Sequence, residues 1–349
     1  MPNLERNFTK PNFIFEPTLF DFDDLKPNFS DSALNSPNSN FTNFELRRER
    51  FLKGLKGETL KYKRYTKSPL RYGGGKSLAV GLIIEHFQRD LKRVISPFIG
   101  GGSVEVACAL ELGLEVRGFD IFDILVNFWQ VVTAAPHELF GELSKLKPNK
   151  KIYAEIKAEL KKHYKNEAKL DALTLARDYY FNFNLSYGPG FLGWMSGIYE
   201  DEGRYKKMLE KMLNFGANEG AKRLKVECES FEKAFEKYPH DFFYCDPPYY
   251  LTGDSKMFRG IYPMRNFPIH HNGFKHELLR DLLHAHKGKW VLSYNDCEWV
   301  REAYKDFKIL TPKWQYTMGQ GETRIGKNRI ERGDTDNIKQ SHELLIIKE

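Results

Sequence analysis

Apolar positions in this chain follow two rhythms. Short β-branched or aromatic runs at Arg93–Phe98, Leu114–Asp120, Arg223–Cys228, Phe242–Cys245, Trp290–Tyr294 and His342–Ile347 predict strands of one sheet. Helical spacing appears over Val104–Leu112 and about Ile124–Val132. The resulting order of strand, helix, strand and helix predicts right-handed parallel crossovers. From Pro136 to about Asn184 the pattern stays helical and Lys-rich, as at Lys150-Lys151 and Lys161-Lys162, and interrupts the sheet. The organisation expected is an α/β domain over 61–135 and 225–349, split by a helical insertion at 136–224. Residues 1–60 sustain no period, and Asn35-Ser36-Pro37-Asn38-Ser39-Asn40 is typical of them. An extended, poorly ordered arm is expected there, with one short helix over Phe44–Leu55.

Composition narrows the class. With 349 residues, 41% of them hydrophobic and 14% aromatic, the chain can bury a sizeable core. A formal charge of +7 tilts the expected partner toward an anion such as nucleic acid. The four cysteines, Cys108, Cys228, Cys245 and Cys297, lie far apart without metal-ligand spacing, so they read as reduced core thiols. No leader pattern and no membrane-spanning apolar run is evident, which makes the cytoplasm the expected compartment.

The strand Phe242–Cys245 ends abruptly in Asp246-Pro247-Pro248-Tyr249. The prolines supply no N–H and force an extended exit, leaving a carboxylate, a rigid carbonyl-bearing turn and an aromatic ring at the strand's carboxyl end. Open α/β sheets place their ligands there. The exocyclic amine of adenine is a poor nucleophile because its lone pair is delocalised into the ring. The Asp246 carboxylate and the Pro247 carbonyl can each accept one amino hydrogen, favouring a pyramidal nitrogen that attacks a methyl group. Tyr249 offers a face to a base turned out of the duplex.

Two further segments point to the second ligand. The turn Pro97-Phe98-Ile99-Gly100-Gly101-Gly102-Ser103 allows close backbone approach, yet Glu105 stands where a dinucleotide fingerprint needs its third glycine. Asp120 ends the next strand at the spacing from which a carboxylate accepts both hydrogens of a ribose diol. Together they imply a nucleoside ligand with little phosphate contact, which S-adenosylmethionine (AdoMet) fits better than NAD. Upstream, Arg71-Tyr72-Gly73-Gly74-Gly75-Lys76-Ser77 fails as a phosphate loop, because Leu70 occupies the position of its first glycine. It reads instead as a clamp, with Tyr72 against a ligand face and Lys76 on a carboxylate such as that of a methionine moiety.

In this order the motifs resemble the D12 class of N6-adenine DNA methyltransferases and are similar to the DNA adenine methyltransferase family. The likeness covers about 61–349 and includes Asp120 followed by Asn127, Cys228-Glu229-Ser230-Phe231, and Ser293-Tyr294-Asn295-Asp296. It implies a Rossmann-like α/β methyltransferase fold, a mixed and mainly parallel sheet with helices on both faces, and a helical DNA-recognition insertion. It also implies AdoMet bound by Tyr72, Lys76, Phe98, Gly100, Gly102, Asp120, Glu229 and Asp246. The adenine of double-stranded DNA is then gripped by Asp246, Pro247, Pro248 and Tyr249. Tyr72 stands where members often have Trp, and the insertion from Tyr179 to Trp194 matches only loosely, so no recognition sequence carries over. A restriction-modification role with a cognate endonuclease is the expected setting, and a monomer is favoured over an oligomer.

Leu251–His276 is long for a loop in a compact domain and interleaves Lys256, Arg259, Arg265, His270 and His271 with Phe258, Tyr262 and Phe267. This composition suits phosphate contacts and stacking, as does the basic, Gly-rich stretch Lys313–Arg332. Adjacent His270-His271 has no acidic or Cys partner at ligand spacing, and transfer from a sulfonium needs no metal, so none is expected. Related turns also serve cytosine N4, RNA adenine and glutamine amides, and a silent DNA-binding scaffold is a third reading. Asp at 246 and the intact glycine turn favour the DNA-adenine enzyme. Cytosine C5 chemistry would need a nucleophilic thiol, and Cys245 lies inside a strand.

Overall fold

The structure is a computed structural model and describes residues 43–56, 62–187, 190–251, 273–312 and 342–349. In chain order its elements are α1 (Asn43–Lys56), α2 (Val80–Glu85), β1 (Arg93–Ser96), α3 (Ser103–Leu110), β2 (Glu115–Asp120) and α4 (Asp123–Ala134). The insertion follows as α5 (Pro136–Ser144), α6 (Lys150–Tyr164), α7 (Ala172–Leu185) and α8 (Glu202–Gly216). Then come β3 (Leu224–Cys228), α9 (Phe231–Lys237), β4 (Phe242–Cys245), α10 (His276–Ala285), β5 (Trp290–Asn295), α11 (Glu298–Ala303), β6 (Lys308–Leu310) and β7 (Glu343–Lys348). Among the described residues, seven strands form one sheet in the order β3-β2-β1-β4-β5-β7-β6. The first five run parallel, and β7 lies antiparallel between β5 and β6.

Alternation along the central strands divides the core. Val94, Phe242, Tyr244, Val291, Leu345 and Ile347 face the helices before β3, whereas Ile95, Phe243, Cys245, Leu292, Leu344 and Ile346 face α9, α10 and α11. Successive side chains of a strand point to opposite faces, so a sheet covered on both sides needs unbroken apolar runs. That is why these strands were so plain in the sequence, and the α/β fold with helices on both faces is the one expected.

The insertion shares the core of the first face. Phe128 of α4 stacks on Tyr180 of α7 at 5.4 Å and 16°. Tyr179 to Leu185 are all buried, so this aromatic run, expected to belong to DNA recognition, is core along its helical part. The short helix expected in the first 60 residues forms as α1. It docks by burying Phe44 and by Arg48, which donates to the Ile84 carbonyl at 3.1 Å and to the Glu85 carbonyl. Residues 1–42 and 57–61 lie outside the described residues, as do most of Leu251–His276, with its named cations and aromatics, and Lys313–Arg332. Cys108, Cys245 and Cys297 are buried, but Cys228 is exposed at the end of β3, which corrects the reading of four core thiols. Among the described residues no helix is long and apolar enough to cross a membrane.

Candidate active site

The two neighbours of β1 depart in opposite directions along the sheet, so its carboxyl end is a topological switch point. Ile95 pairs with Phe243 on one side and Arg117 on the other. This register brings the segments after Ser96, Asp120 and Cys245 to one edge. They surround a cavity of about 320 Å³, within the range of small-molecule sites. Its walls are Tyr72–Lys76, Pro97–Glu105, Asp120–Phe122, Ser230–Glu232, Asp246–Tyr249 and Gly273–Lys275. Tyr72, Lys76, Phe98, Gly100, Gly102, Asp120, Asp246, Pro247, Pro248 and Tyr249 thus come together. Glu229 does not line the cavity; its backbone N–H donates to the Asp120 carbonyl at 3.1 Å, while Ser230 and Phe231 behind it do line it.

The glycine turn is shaped first by the protein's own rings. Gly100 and Gly102 have φ of 45° and 62°, and Gly102 caps α3. A Cβ on Gly101 would lie 2.3 Å from the Tyr72 Cβ, and one on Gly102 would lie 2.8 Å from the Trp129 ring. Both approaches are too close for any side chain. Trp129 also donates its indole N–H to the Gly100 carbonyl at 3.0 Å. Tyr72 in turn stacks on Phe183 of α7 at 5.6 Å, which ties the insertion to the cavity wall.

Asp120 is held by two main-chain donors. Its Oδ2 accepts from Gly100 N at 3.2 Å and its Oδ1 from Phe122 N at 2.9 Å. Nearby, Phe98, Phe231 and Phe274 pack with centroids 5.3 to 5.6 Å apart. Ile121 stays largely exposed at the rim.

On the opposite wall, Lys76 Nζ donates to Asp246 Oδ1 at 2.5 Å and to the Gly74 carbonyl at 3.2 Å. The expectation was a lysine reaching a ligand carboxylate, but here it meets a carboxylate of the protein. Burial pushes the Asp246 pKa up and the Lys76 ammonium opposes that rise, with burial the larger effect. Lys76 also lies 5.1 Å from the centre of the Tyr249 ring, which stacks on Tyr294 at 6.3 Å. Burial holds the Cys245 thiol well above its usual range, so it stays protonated inside β4.

Three polar groups had no role assigned from the sequence. Glu105, in the first turn of α3, is a buried lining residue that accepts from Ser96 Oγ at 2.6 Å. Burial, aided by the negative charge of Asp246, raises its pKa to about 7. Asn295 Oδ1 accepts from Tyr250 N at 2.7 Å and its Nδ2 donates to the Tyr250 carbonyl at 2.7 Å. Glu343, at the start of β7, accepts from the Tyr249 hydroxyl in a short hydrogen bond. Asn295 stood in a recognised motif, but single carboxylates at a glycine turn and ahead of an apolar strand carry no spacing signal.

The arrangement places a carboxylate beside an aromatic ring and a second carboxylate at the glycine turn on one cavity with an apolar wall. Comparison with curated proteins finds no match. The sequence profile of the D12 class N6 adenine-specific DNA methyltransferases matches residues 72–318, from the first residue of the cavity wall past the Asp246 turn, the insertion included. The match spans more than half of the chain, which therefore belongs to the D12 class N6 adenine-specific DNA methyltransferase family and is an adenine-specific DNA methyltransferase.

Proposed function

We propose that this enzyme takes its methyl group from AdoMet and delivers it to N6 of an adenine turned out of double-stranded DNA into the Asp246–Tyr249 pocket. The observation that carries the reading is the shared cavity: the Asp246 turn and the Asp120–glycine-turn wall open onto one space. The residues fit AdoMet in chemistry. Asp120 offers a carboxylate for a ribose diol, Phe98, Ile121 and Phe231 offer apolar surface for a purine, and among the described residues no phosphate-binding loop adjoins them. When bound, AdoMet supplies an electrophilic methyl on a sulfonium.

The protein's part is positioning. Asp246, whose charged form Lys76 favours, accepts one amino hydrogen of the adenine, and the Pro247 carbonyl accepts the other. Both acceptors are fixed before the base arrives, so little reorganisation accompanies reaction. Tyr249 supplies ring surface beside the base. Lys76 is assigned here to Asp246, and Tyr72 to supporting the glycine turn. The 136–224 insertion carries DNA recognition, through its exposed tip near Trp194 rather than through the buried length of α7.

Incubating the purified chain with labelled AdoMet and plasmid DNA, then digesting the DNA to nucleosides, tests this reading. The label is expected in N6-methyladenine. Label in N4-methylcytosine, or labelling of single strands with none in duplex, overturns it.

A further inference from the structure

The turn after β4 lacks the N–H groups of its two prolines, so a ladder of main-chain bonds cannot hold Asp246–Tyr249 in place. The anchors come from the antiparallel side of the sheet. Asn295, the last residue of β5, and Glu343, the first of β7, face each other in the β5–β7 register. Opposed residues of an antiparallel pair project to the same face, and here both reach the turn. Asn295 binds the backbone of Tyr250 on both its N–H and its carbonyl. Glu343 binds the hydroxyl of Tyr249. Both side chains belong to residues with 0% exposure. A fully buried carboxyl leading into Leu344-Leu345-Ile346-Ile347 is unfavourable unless something needs it. Glu343 also lies beyond the 72–318 span matched to the family.

We propose that Glu343 is a positioning residue for methyl transfer, acting through Tyr249. A tyrosine held only at Cα can swing about two side-chain torsions. Anchoring its hydroxyl end fixes both, and with them the ring plane beside which the target base packs. Asn295 fixes the backbone of Tyr250, the next residue along the turn. The ordering is then completed during folding instead of during base extrusion. This inference rests on the proposed function, in that Tyr249 must receive the base.

The test is a cycle of wild type, Tyr249→Phe, Glu343→Leu and the double variant. It measures kcat for labelled methyl transfer to plasmid DNA, AdoMet affinity by calorimetry, and melting temperature. Each single change is expected to lower kcat by roughly 10- to 100-fold with AdoMet affinity unchanged. The double variant should fall no lower than the worse single, because both remove one bond. Glu343→Gln keeps an acceptor oxygen and should restore most of kcat. Additive losses, or AdoMet affinity falling in step with kcat, overturn the inference. Should the Leu variant not fold, Tyr249→Phe decides alone: it keeps the ring, and wild-type kcat there overturns the inference. A wild type that binds AdoMet but methylates no adenine overturns the proposed function and this inference with it. An active wild type with additive variants overturns this inference only.

Discussion

Lys76 and Asp246 stand 170 positions apart in sequence, yet Lys76 Nζ lies 2.5 Å from Asp246 Oδ1. The lysine side chain is 3% exposed and the aspartate 20%, so the pair sits at the inner end of the cavity with the carboxylate still reachable. A carboxylate this desolvated tends to hold its proton, and a protonated oxygen donates where the chemistry needs an acceptor. The buried ammonium counters that tendency. The loop before α2 therefore opposes the rise that burial imposes on a residue at the end of β4.

Lys76→Met should raise the Asp246 pKa further, since burial acts upward and the lysine is the influence holding it down. With the charged form needed for activity, the acidic limb of the kcat–pH profile should move to higher pH. At neutral pH the rate should fall by roughly tenfold or more. Asp246→Ala should instead lose on the order of 100-fold or more at every pH, because the acceptor itself is gone. Rate profiles from mildly acidic to alkaline pH distinguish the two. A Lys76→Met profile that overlays the wild type would remove the lysine from this role.

Asp120→Ala should weaken AdoMet by about 1–3 kcal/mol, the range for hydrogen bonds to a charged acceptor. The same carboxylate binds Gly100 N and Phe122 N, so the variant also loosens the glycine turn. Asp120→Asn keeps an acceptor oxygen and should lose less. Calorimetry on the purified proteins gives both numbers. Equal affinity in all three would make Asp120 a local cap and nothing more.

Glu105 links stability to pH. Its pKa in the fold is about 7 against an ordinary 4.5, raised mainly by burial. The folded protein therefore keeps a proton that the unfolded chain releases. The contribution is fully present below about 4.5 and is lost as pH climbs to about 7, where the carboxyl must ionise in place. The loss amounts to about 3 kcal/mol. Glu105→Gln has no such proton, so its stability should fall less than that of the wild type between these limits. Denaturant titrations at matched pH values measure the difference. Parallel curves for the two proteins would show that the carboxyl titrates normally.

These groups mark the boundary of what could be read in the sequence. Phe242–Cys245 and Trp290–Tyr294 were legible because strands covered on both faces are apolar at every position, and Asp246-Pro247-Pro248-Tyr249 was legible because two prolines must end a strand. The three-residue β6, only partly buried, shows no alternation at all. The Lys76–Asp246 and Tyr249–Glu343 contacts join residues 170 and 94 positions apart, and no local pattern announces such pairs. Tyr179–Leu185, the helical part of the Tyr179–Trp194 run expected to carry DNA recognition, is buried, Asn182 and Asn184 included. Their side chains are instead used inside, Asn182 Oδ1 accepting from Leu192 N at 2.7 Å and Asn184 Oδ1 from Arg71 N at 2.9 Å.

The insertion's tip carries two exposed aromatic rings, which makes it the first place to test for base contacts. Tyr187 and Trp194 are 76% and 82% exposed, flanking the Ser186–Met195 bridge, and Tyr187 N donates to the Trp194 carbonyl at 2.6 Å. The tip is held from below, where Tyr153 and Lys157 donate to the Gly193 carbonyl at 3.1 and 3.0 Å. Lys157 Nζ also lies 4.6 Å from the centre of the Trp194 ring. An exposed ring with a cation beside it suits stacking on a base next to phosphate. Trp194→Ala should therefore weaken duplex binding by about 1–3 kcal/mol without altering its salt slope, since no charge is lost. Lys157→Ala should reduce that slope by about one. Folding stability in Trp194→Ala should change by no more than about 0.5 kcal/mol, because so exposed a ring buries little. Fluorescence anisotropy of a labelled duplex across a salt series reads both effects. If Trp194→Ala binds DNA like the wild type, the base contacts belong to another part of the chain, and Leu251–His276 becomes the segment to exchange next.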